Sequence, residues 1–136
     1  LEHQAAYVAT ASIAYPQDFY RKVARAKEIK GFRYIELHAP CGPGWKFPGS
    51  DTVELGKLAV KTGAWQLWEA ENGKMTVSSP TLQLAEGKME LTPLEEYLKR
   101  QGRFAHLLKS GEKDAAIREM SAEIQSDLAE LLKRAR

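Results

Sequence analysis

The stretch FRYIELHAPCGPGW, residues 32–45, holds the features from which the fold of this chain can be predicted. Its first half is apolar and rich in β-forming residues, which is typical of a strand. Its second half holds the only cysteine of the chain, Cys41, followed by a glycine- and proline-rich turn that ends in Trp45. Ligands of open α/β sheets bind in the crevice beyond the carboxyl ends of the strands. The stretch therefore predicts a strand that delivers one thiol to a functional edge of the sheet.

The residues before this stretch predict a strand and a helix. Residues 6–13, AYVATASI, are rich in small and β-branched residues, as in a buried strand. Pro16 suits the first turn of a helix, and Gly31 suits its end. A connection of this kind between parallel strands is right-handed in about 98% of proteins. We therefore expect residues 6–38 to form a βαβ unit.

One face of the predicted helix is basic. A charged helix face is usually solvated, and the alternative is a docking surface for an acidic protein partner. The basic residues are Arg21, Lys22, Arg25 and Lys30.

The residues after the cysteine turn predict a helix and a hairpin. An apolar stripe begins at Val53, and Gly63 ends that helix. Asn72-Gly73 lies between two β-prone runs, which is the strongest short signal for a β-hairpin. Residues 78–91 carry only a weak pattern and are interpreted as a surface loop.

The last third of the sequence predicts helices. A short helix is expected to start after Thr92, and residues 114–134 carry an amphipathic stripe of about five turns. We therefore divide the chain into an α/β part, residues 1–91, and a helical extension, residues 92–136, which is expected to contact another subunit.

Composition narrows the classes of function. The chain has 136 residues, 43% of them hydrophobic, and a net charge of +2. This charge gives no reason to expect nucleic-acid binding, and no apolar run approaches the roughly 20 residues that a membrane span needs. The amino terminus lacks the pattern of a signal peptide. We expect a cytoplasmic protein and, because the chain opens on Leu1 rather than on Met, a fragment or processed piece of a longer one.

Cys41 lacks evident partners for chemistry. An iron–sulfur cluster usually takes four thiolates and structural zinc takes four Cys or His ligands. This chain offers Cys41 with three histidines in separate segments: His3, His38 and His106. A nucleophilic cysteine with His38 as its base would lack an orienting third group. By its residues alone, Cys41 is most often a buried or idle thiol.

Several motifs together resemble one family. They are HAPCGPGW at residues 38–45, TVELGKLAVKTG at residues 52–63, WQLWE at residues 65–69, YVATAS at residues 7–12, and PLEEYL with QGRF at residues 93–104. In this order they resemble the carboxy-terminal part of the thiamine-diphosphate-binding β subunit of pyruvate:ferredoxin oxidoreductase (pyruvate synthase) and related 2-oxoacid:ferredoxin oxidoreductases. The resemblance covers about residues 6–108.

The resemblance implies a fold, an activity and one site residue. The fold would be the carboxy-terminal portion of a thiamine-diphosphate-binding α/β fold. The activity would be oxidative decarboxylation of pyruvate or a related 2-oxoacid to an acyl-CoA, with electrons passing through a [4Fe–4S] cluster to ferredoxin. The family's Pro-Cys-Pro-x-Gly-Trp segment carries one cluster ligand, which falls on Cys41. Thiamine diphosphate with Mg²⁺, other subunits and ferredoxin are the implied cofactors and partners.

The sequence also departs from the family. Gly42 and Pro43 stand where the family often has proline and another residue. The family's other cluster cysteines and its GDG motif for diphosphate and Mg²⁺ do not occur in this sequence. We therefore expect the chain alone to be inactive. The alternatives are a non-catalytic interaction module, in which residues 92–136 mediate assembly, and an independent thiol enzyme.

Overall fold

The computed structural model describes residues 5–135 and shows the predicted βαβ unit at its start. Strand β1 (Tyr7–Ser12), helix α1 (Pro16–Glu28) and strand β2 (Arg33–His38) follow one another, and β1 pairs with β2 in parallel. Tyr7 and Ala9 of β1 pack against Ala26 and Ile29 at the α1 side of the sheet. The small residues of β1 therefore let the helix lie close to the strand.

The chain then forms short helical turns and a longer helix. These are α2 (Gly42–Trp45), a 3₁₀ turn (Gly49–Asp51) and α3 (Thr52–Lys61). Helix α3 buries its apolar side, including Leu55 and Val60, and Gly63 follows it with a φ of +76°. A positive φ is accessible to glycine without steric cost, so the helix ends where the sequence predicts.

A hairpin completes the sheet. Strands β3 (Trp68–Glu71) and β4 (Lys74–Val77) are joined by Asn72 and Gly73, which both have positive φ values, as the predicted turn requires. Strand β3 pairs antiparallel with β1, and the order of strands in the sheet is β2-β1-β3-β4. The fold class is therefore mixed α/β, which confirms the sequence prediction.

The segment after the hairpin differs from the prediction. Within residues 78–91, which the sequence presents as a loop, α4 (Thr81–Ala85) forms a helix. The hydroxyl of Thr81 is buried and accepts a hydrogen bond of 2.8 Å from the backbone N–H of Leu67, while Leu84 is buried as well. These tertiary contacts hold a helix that is too short to show a periodic pattern.

The remaining helices confirm the predicted helical end. They are α5 (Leu94–Lys99), a 3₁₀ turn (Gly102–Phe104), α6 (Ala105–Leu108) and α7 (Lys113–Arg134). Leu94, Tyr97 and Leu98 share one buried cluster with Phe47 and residues of α3. Leu131 of α7 packs against Met75 and Val77 of the hairpin. The division of the chain at residue 91 stays a prediction.

The basic face of α1 is not simply solvated. Lys22 is fully buried, and its Nζ donates hydrogen bonds to Asp18 Oδ2 at 2.6 Å and to the carbonyl oxygen of Thr10 at 2.8 Å. The interpretation of Lys22 as a solvated residue is therefore wrong. The charge can be buried because a carboxylate on the same helix, four residues earlier, compensates it.

None of the helices between residues 5 and 135 is long and apolar enough to cross a lipid bilayer.

Candidate functional site

The two parallel strands end side by side and place the cysteine turn beyond their carboxyl ends. Ser12 of β1 pairs with His38 of β2, and the backbone N–H of Ile13 donates to the carbonyl oxygen of His38 at 3.1 Å. The indole Nε1 of Trp65 donates to the carbonyl oxygen of Ala11 at 3.0 Å and so closes over the end of β1. Cys41 lies three residues beyond the end of β2, in the position that the sequence predicts.

Cys41 begins a tight turn that needs its glycines. The N–H of Trp45 donates to the carbonyl oxygen of Cys41 at 2.9 Å, and the N–H of Phe47 donates to that of Gly42 at 3.1 Å. A Cβ on Gly44 would lie 3.3 Å from Cys41 Sγ, and one on Gly42 would lie 3.2 Å from the carbonyl oxygen of Phe47. The backbone therefore passes close to the thiol, which is itself exposed and free.

His38 is buried between aromatic rings beside this turn. Only 8% of its surface is exposed, and its ring centroid lies 5.1 Å from that of Trp65 and 5.8 Å from that of Trp45. Its Nδ1 has no hydrogen-bond partner among the described residues. Burial, and secondly the nearby charge of Arg103, lower the pKa of His38 to about 4. His38 is therefore neutral near pH 7.

A segment from the helical end of the chain is docked on the same turn. The N–H of Gly102 donates to the carbonyl oxygen of Lys46 at 3.1 Å, and a Cβ on Gly102 would lie 2.8 Å from Lys46 Cβ. The guanidinium carbon of Arg103 lies 3.8 Å from the ring centroid of Trp45, within the range of a cation–π contact. Residues 101–104 therefore hold the cysteine turn from outside.

The candidate ligands of the sequence do not converge into a metal site of their own. Across residues 5–135, no three Cys, His, Asp or Glu side chains lie close enough together to hold a metal ion. His106 is exposed on a different segment, and His3 lies outside the described residues. No hydrogen bond between Cys41 and His38 is present in the described part of the chain, so the proposed base and nucleophile are not paired.

Sequence reasoning did not single out Arg103 or Gln101 as residues of the site. Gln101 is buried, its Nε2 donates to the carbonyl oxygen of Tyr97 at 2.8 Å, and its Oε1 accepts from Arg103 Nε at 2.9 Å. One feature of the sequence could have drawn attention to Arg103. Arg103 has no acidic residue three or four positions away on either side, which is where a helical ion pair would form.

Comparison with curated proteins finds subunits of pyruvate synthase and of ketoisovalerate oxidoreductase as relatives of this chain. No family model matches the chain. The chain is 50% identical over 117 residues to pyruvate synthase subunit PorB of Methanothermobacter marburgensis, a match that covers 86% of the chain and 38% of that protein. It is 45% identical over 109 residues to ketoisovalerate oxidoreductase subunit VorB of Pyrococcus abyssi, covering 80% of the chain and 33% of that protein. The chain thus spans about a third of the length of these curated relatives.

Proposed function

Because this chain belongs to the family of β subunits of 2-oxoacid:ferredoxin oxidoreductases, we propose that it works as part of such a subunit and that Cys41 supplies one thiolate to the enzyme's [4Fe–4S] cluster. The observation that carries this proposal is the geometry of the Cys41 turn. The turn is closed by backbone hydrogen bonds, lies beyond the carboxyl ends of two parallel strands, and presents an exposed free thiol.

The donor set fits one ligand of a shared cluster. A thiolate is the ligand that iron–sulfur clusters take, and the glycine at position 44 leaves the space beside Cys41 Sγ clear. The sequence contains a single cysteine, so the other three thiolates of such a cluster must come from elsewhere in the enzyme. We therefore infer that the chain completes a cluster site rather than forms one alone.

We propose a 2-oxoacid as the substrate of the whole enzyme, and pyruvate is the first candidate to test. Relatives named pyruvate synthase and relatives named ketoisovalerate oxidoreductase have similar identity to the chain, 50% and 45%. Thiamine diphosphate with Mg²⁺, as a cofactor of the whole enzyme, would supply the chemistry that removes CO₂ from a 2-oxoacid, and Cys41 would help to hold the iron–sulfur cluster that serves as one-electron acceptor.

This chain's own residues orient and enclose the thiolate. The hydrogen bonds of the turn fix where Cys41 lies relative to the end of β2. The rings of Trp45 and Trp65 enclose the neutral His38 and so keep the interior beside the turn apolar. An apolar surrounding limits the access of water to a cluster, which influences its reduction potential.

The proposed partners are the other subunits of the same oxidoreductase, and ferredoxin as electron acceptor. Strand β2 lies at the edge of the sheet and exposes large apolar side chains, with Phe32 just before it 64% exposed and Tyr34 50% exposed. Among the strands of residues 5–135, only β1 pairs with β2, and an open edge with exposed apolar side chains favours contact with further polypeptide. The cytoplasmic location stays a prediction.

The experiment is to replace Cys41 with serine in the complete, anaerobically purified oxidoreductase and to measure iron content and the electron paramagnetic resonance (EPR) spectrum of the reduced cluster. We expect Cys41→Ser to lose most of the iron of this cluster, while thiamine diphosphate content is kept. Ser50→Ala, an exposed change in the same loop, is the matched control and should keep the wild-type spectrum. Full iron content with an unchanged spectrum in Cys41→Ser would refute the proposal and would favour the interaction module instead.

A further inference from the structure

Arg103 is held in place from three sides. Its guanidinium carbon lies 3.8 Å from the ring centroid of Trp45 and 4.7 Å from that of Phe104. Its Nε donates to Gln101 Oε1 at 2.9 Å, and Gln101 is itself buried and bonded to the backbone of Tyr97. An arginine on the surface normally samples many rotamers. This guanidinium has instead a defined position beside the turn that carries Cys41.

The charge of Arg103 is not compensated within the described part of the chain. Ion pairs between residues 5 and 135 involve Arg21, Lys22 and Arg25 on α1 and several cations later in the chain, but none involves Arg103. Two aromatic faces and a neutral amide surround the cation but do not neutralise it. A half-buried, fixed cation without a carboxylate is suited to an anion supplied by something else.

The cation is linked directly to the cysteine turn. Trp45, on whose ring Arg103 stacks, closes that turn through its N–H bond to the carbonyl oxygen of Cys41. The backbone of Gly102, next to Arg103, is bonded to the carbonyl oxygen of Lys46 at the end of the same turn. The fixed positive charge of Arg103 therefore stacks on a residue of the turn that carries Cys41.

We propose that Arg103 is a positioning residue for the Cys41 turn and that its fixed charge stabilises the reduced form of the iron–sulfur cluster bound there. This inference rests on the proposed function, because it needs Cys41 to be a cluster ligand. A cluster with thiolate ligands is an anion and gains one further negative charge on reduction. A nearby cation stabilises the more negative state more strongly, so it raises the reduction potential of the cluster.

The test is a potentiometric titration of the cluster, followed by EPR, in the purified oxidoreductase with Arg103→Gln and Arg103→Lys. We expect Arg103→Gln to lower the ratio of reduced to oxidised cluster at a fixed potential by about three- to tenfold, where tenfold corresponds to ~59 mV for one electron. Lysine keeps the charge but cannot reproduce the planar stack. Arg103→Lys should therefore shift the ratio clearly less than Arg103→Gln does.

Arg100→Gln is the matched control, since Arg100 is exposed on the same segment and its loss removes the same formal charge from the chain. We expect it to leave the potential unchanged. A wild-type potential in iron-replete Arg103→Gln, or an equal shift in Arg100→Gln, would overturn the inference. If Arg103→Gln is isolated without its cluster, iron kept in Arg103→Lys supports the inference, and equal iron loss in both variants overturns it.

The failure of this inference is distinguishable from that of the proposed function. If Cys41→Ser keeps full iron content and an unchanged spectrum, the proposed function fails and this inference fails with it. If the cluster depends on Cys41 but its potential does not respond to Arg103, the inference about Arg103 alone is wrong.

Discussion

The α1 side of the sheet and the turn at Cys41 use similar residues in opposite ways. On the α1 side, the charged groups form ion pairs with one another. Asp18 pairs with Arg21 and Lys22. Glu69 pairs with Arg21 and accepts a hydrogen bond from the hydroxyl of Tyr7. At the turn, Arg103 has no carboxylate partner among the described residues, and His38 Nδ1 has no hydrogen-bond partner there.

The difference separates a structural network from a candidate site. A buried charge that is paired and hydrogen-bonded within its own chain has nothing left to offer a ligand. A fixed charge and a polar nitrogen that have no partner within residues 5–135 are available to one. The sequence drew attention to the basic face of α1 as a charge pattern but not to Arg103.

The largest loss of stability should follow from removing the carboxylate of Asp18, which pairs with Arg21 and Lys22. Asp18→Asn removes the carboxylate that compensates the fully buried Lys22. An uncompensated buried charge typically costs about 3–5 kcal/mol, so we expect the free energy of unfolding to fall by about that amount. Denaturation in urea, followed by circular dichroism, measures it.

A second substitution and a control make this result specific. Asp18→Asn combined with Lys22→Met removes the stranded charge and should recover most of the lost stability. Asp114→Asn changes an exposed aspartate at the start of α7 and should leave stability close to that of the wild type. Equal losses in the single and the double variant would show that the pair is not the cause.

A smaller effect should come from the pH dependence of His38. In the unfolded chain its pKa is near 6.5, and in the folded chain burial and Arg103 lower the pKa to about 4. Between these values the unfolded chain binds a proton that the folded chain does not. Neutral, buried His38 therefore adds its full share to the free energy of unfolding above pH 6.5. About 3 kcal/mol of that free energy is lost as the pH falls toward 4.

Comparison with His38→Phe isolates this contribution. Phenylalanine can fill the space between Trp45 and Trp65 but does not titrate. The free energy of unfolding of the wild type should fall more steeply with decreasing pH than that of the variant, because the other titrating groups are common to both. Parallel curves between pH 6.5 and 4 would contradict the assignment.

The smallest of these effects should follow from Gly102→Ala. The added Cβ would lie 2.8 Å from Lys46 Cβ and 3.0 Å from the carbonyl oxygen of Lys46, so the two segments must move apart. We expect a loss of about 2 kcal/mol in the free energy of unfolding, as is typical of overpacking. Gly49→Ala, whose Cβ would meet no atom within 4 Å, is the matched control. A similar loss in both variants would mean that docking of residues 101–104 on the turn adds no stability.

Much of the fold followed from local patterns. The strand–helix–strand unit, the helix ending at Gly63 and the hairpin at Asn72-Gly73 each carry their own signal in the sequence, either a period or a turn residue that needs positive φ. Helix α4 carries no such signal. Thr81 and Leu84 hold it through contacts that are distant in sequence, which no local pattern reports.

Of the candidate site, only the position of Cys41 could be predicted from the sequence. The position of Cys41 after a strand, in a turn rich in glycine, indicates the carboxyl edge of a parallel sheet. Arg103 and Gln101 come from a segment about sixty residues later, and their relation to Trp45 exists only once α5 packs on α3. The sequence contains these two residues but does not show that they lie close to Trp45 in the fold.

The sequence by itself determined the order of the elements, the parallel unit and the one thiol beyond its carboxyl edge, because each depends on residues that are neighbours along the chain. Only the tertiary structure decided which charges are buried and which lack a partner. Lys22 pairs with Asp18 four residues earlier on α1 and is buried against the carbonyl oxygen of Thr10 on β1, whereas Arg103 is fixed by two aromatic rings and an amide and has no carboxylate partner among residues 5–135. The burial of Lys22 and the stacking of Arg103 depend on distances between segments far apart in the chain, and those distances exist only in the folded protein.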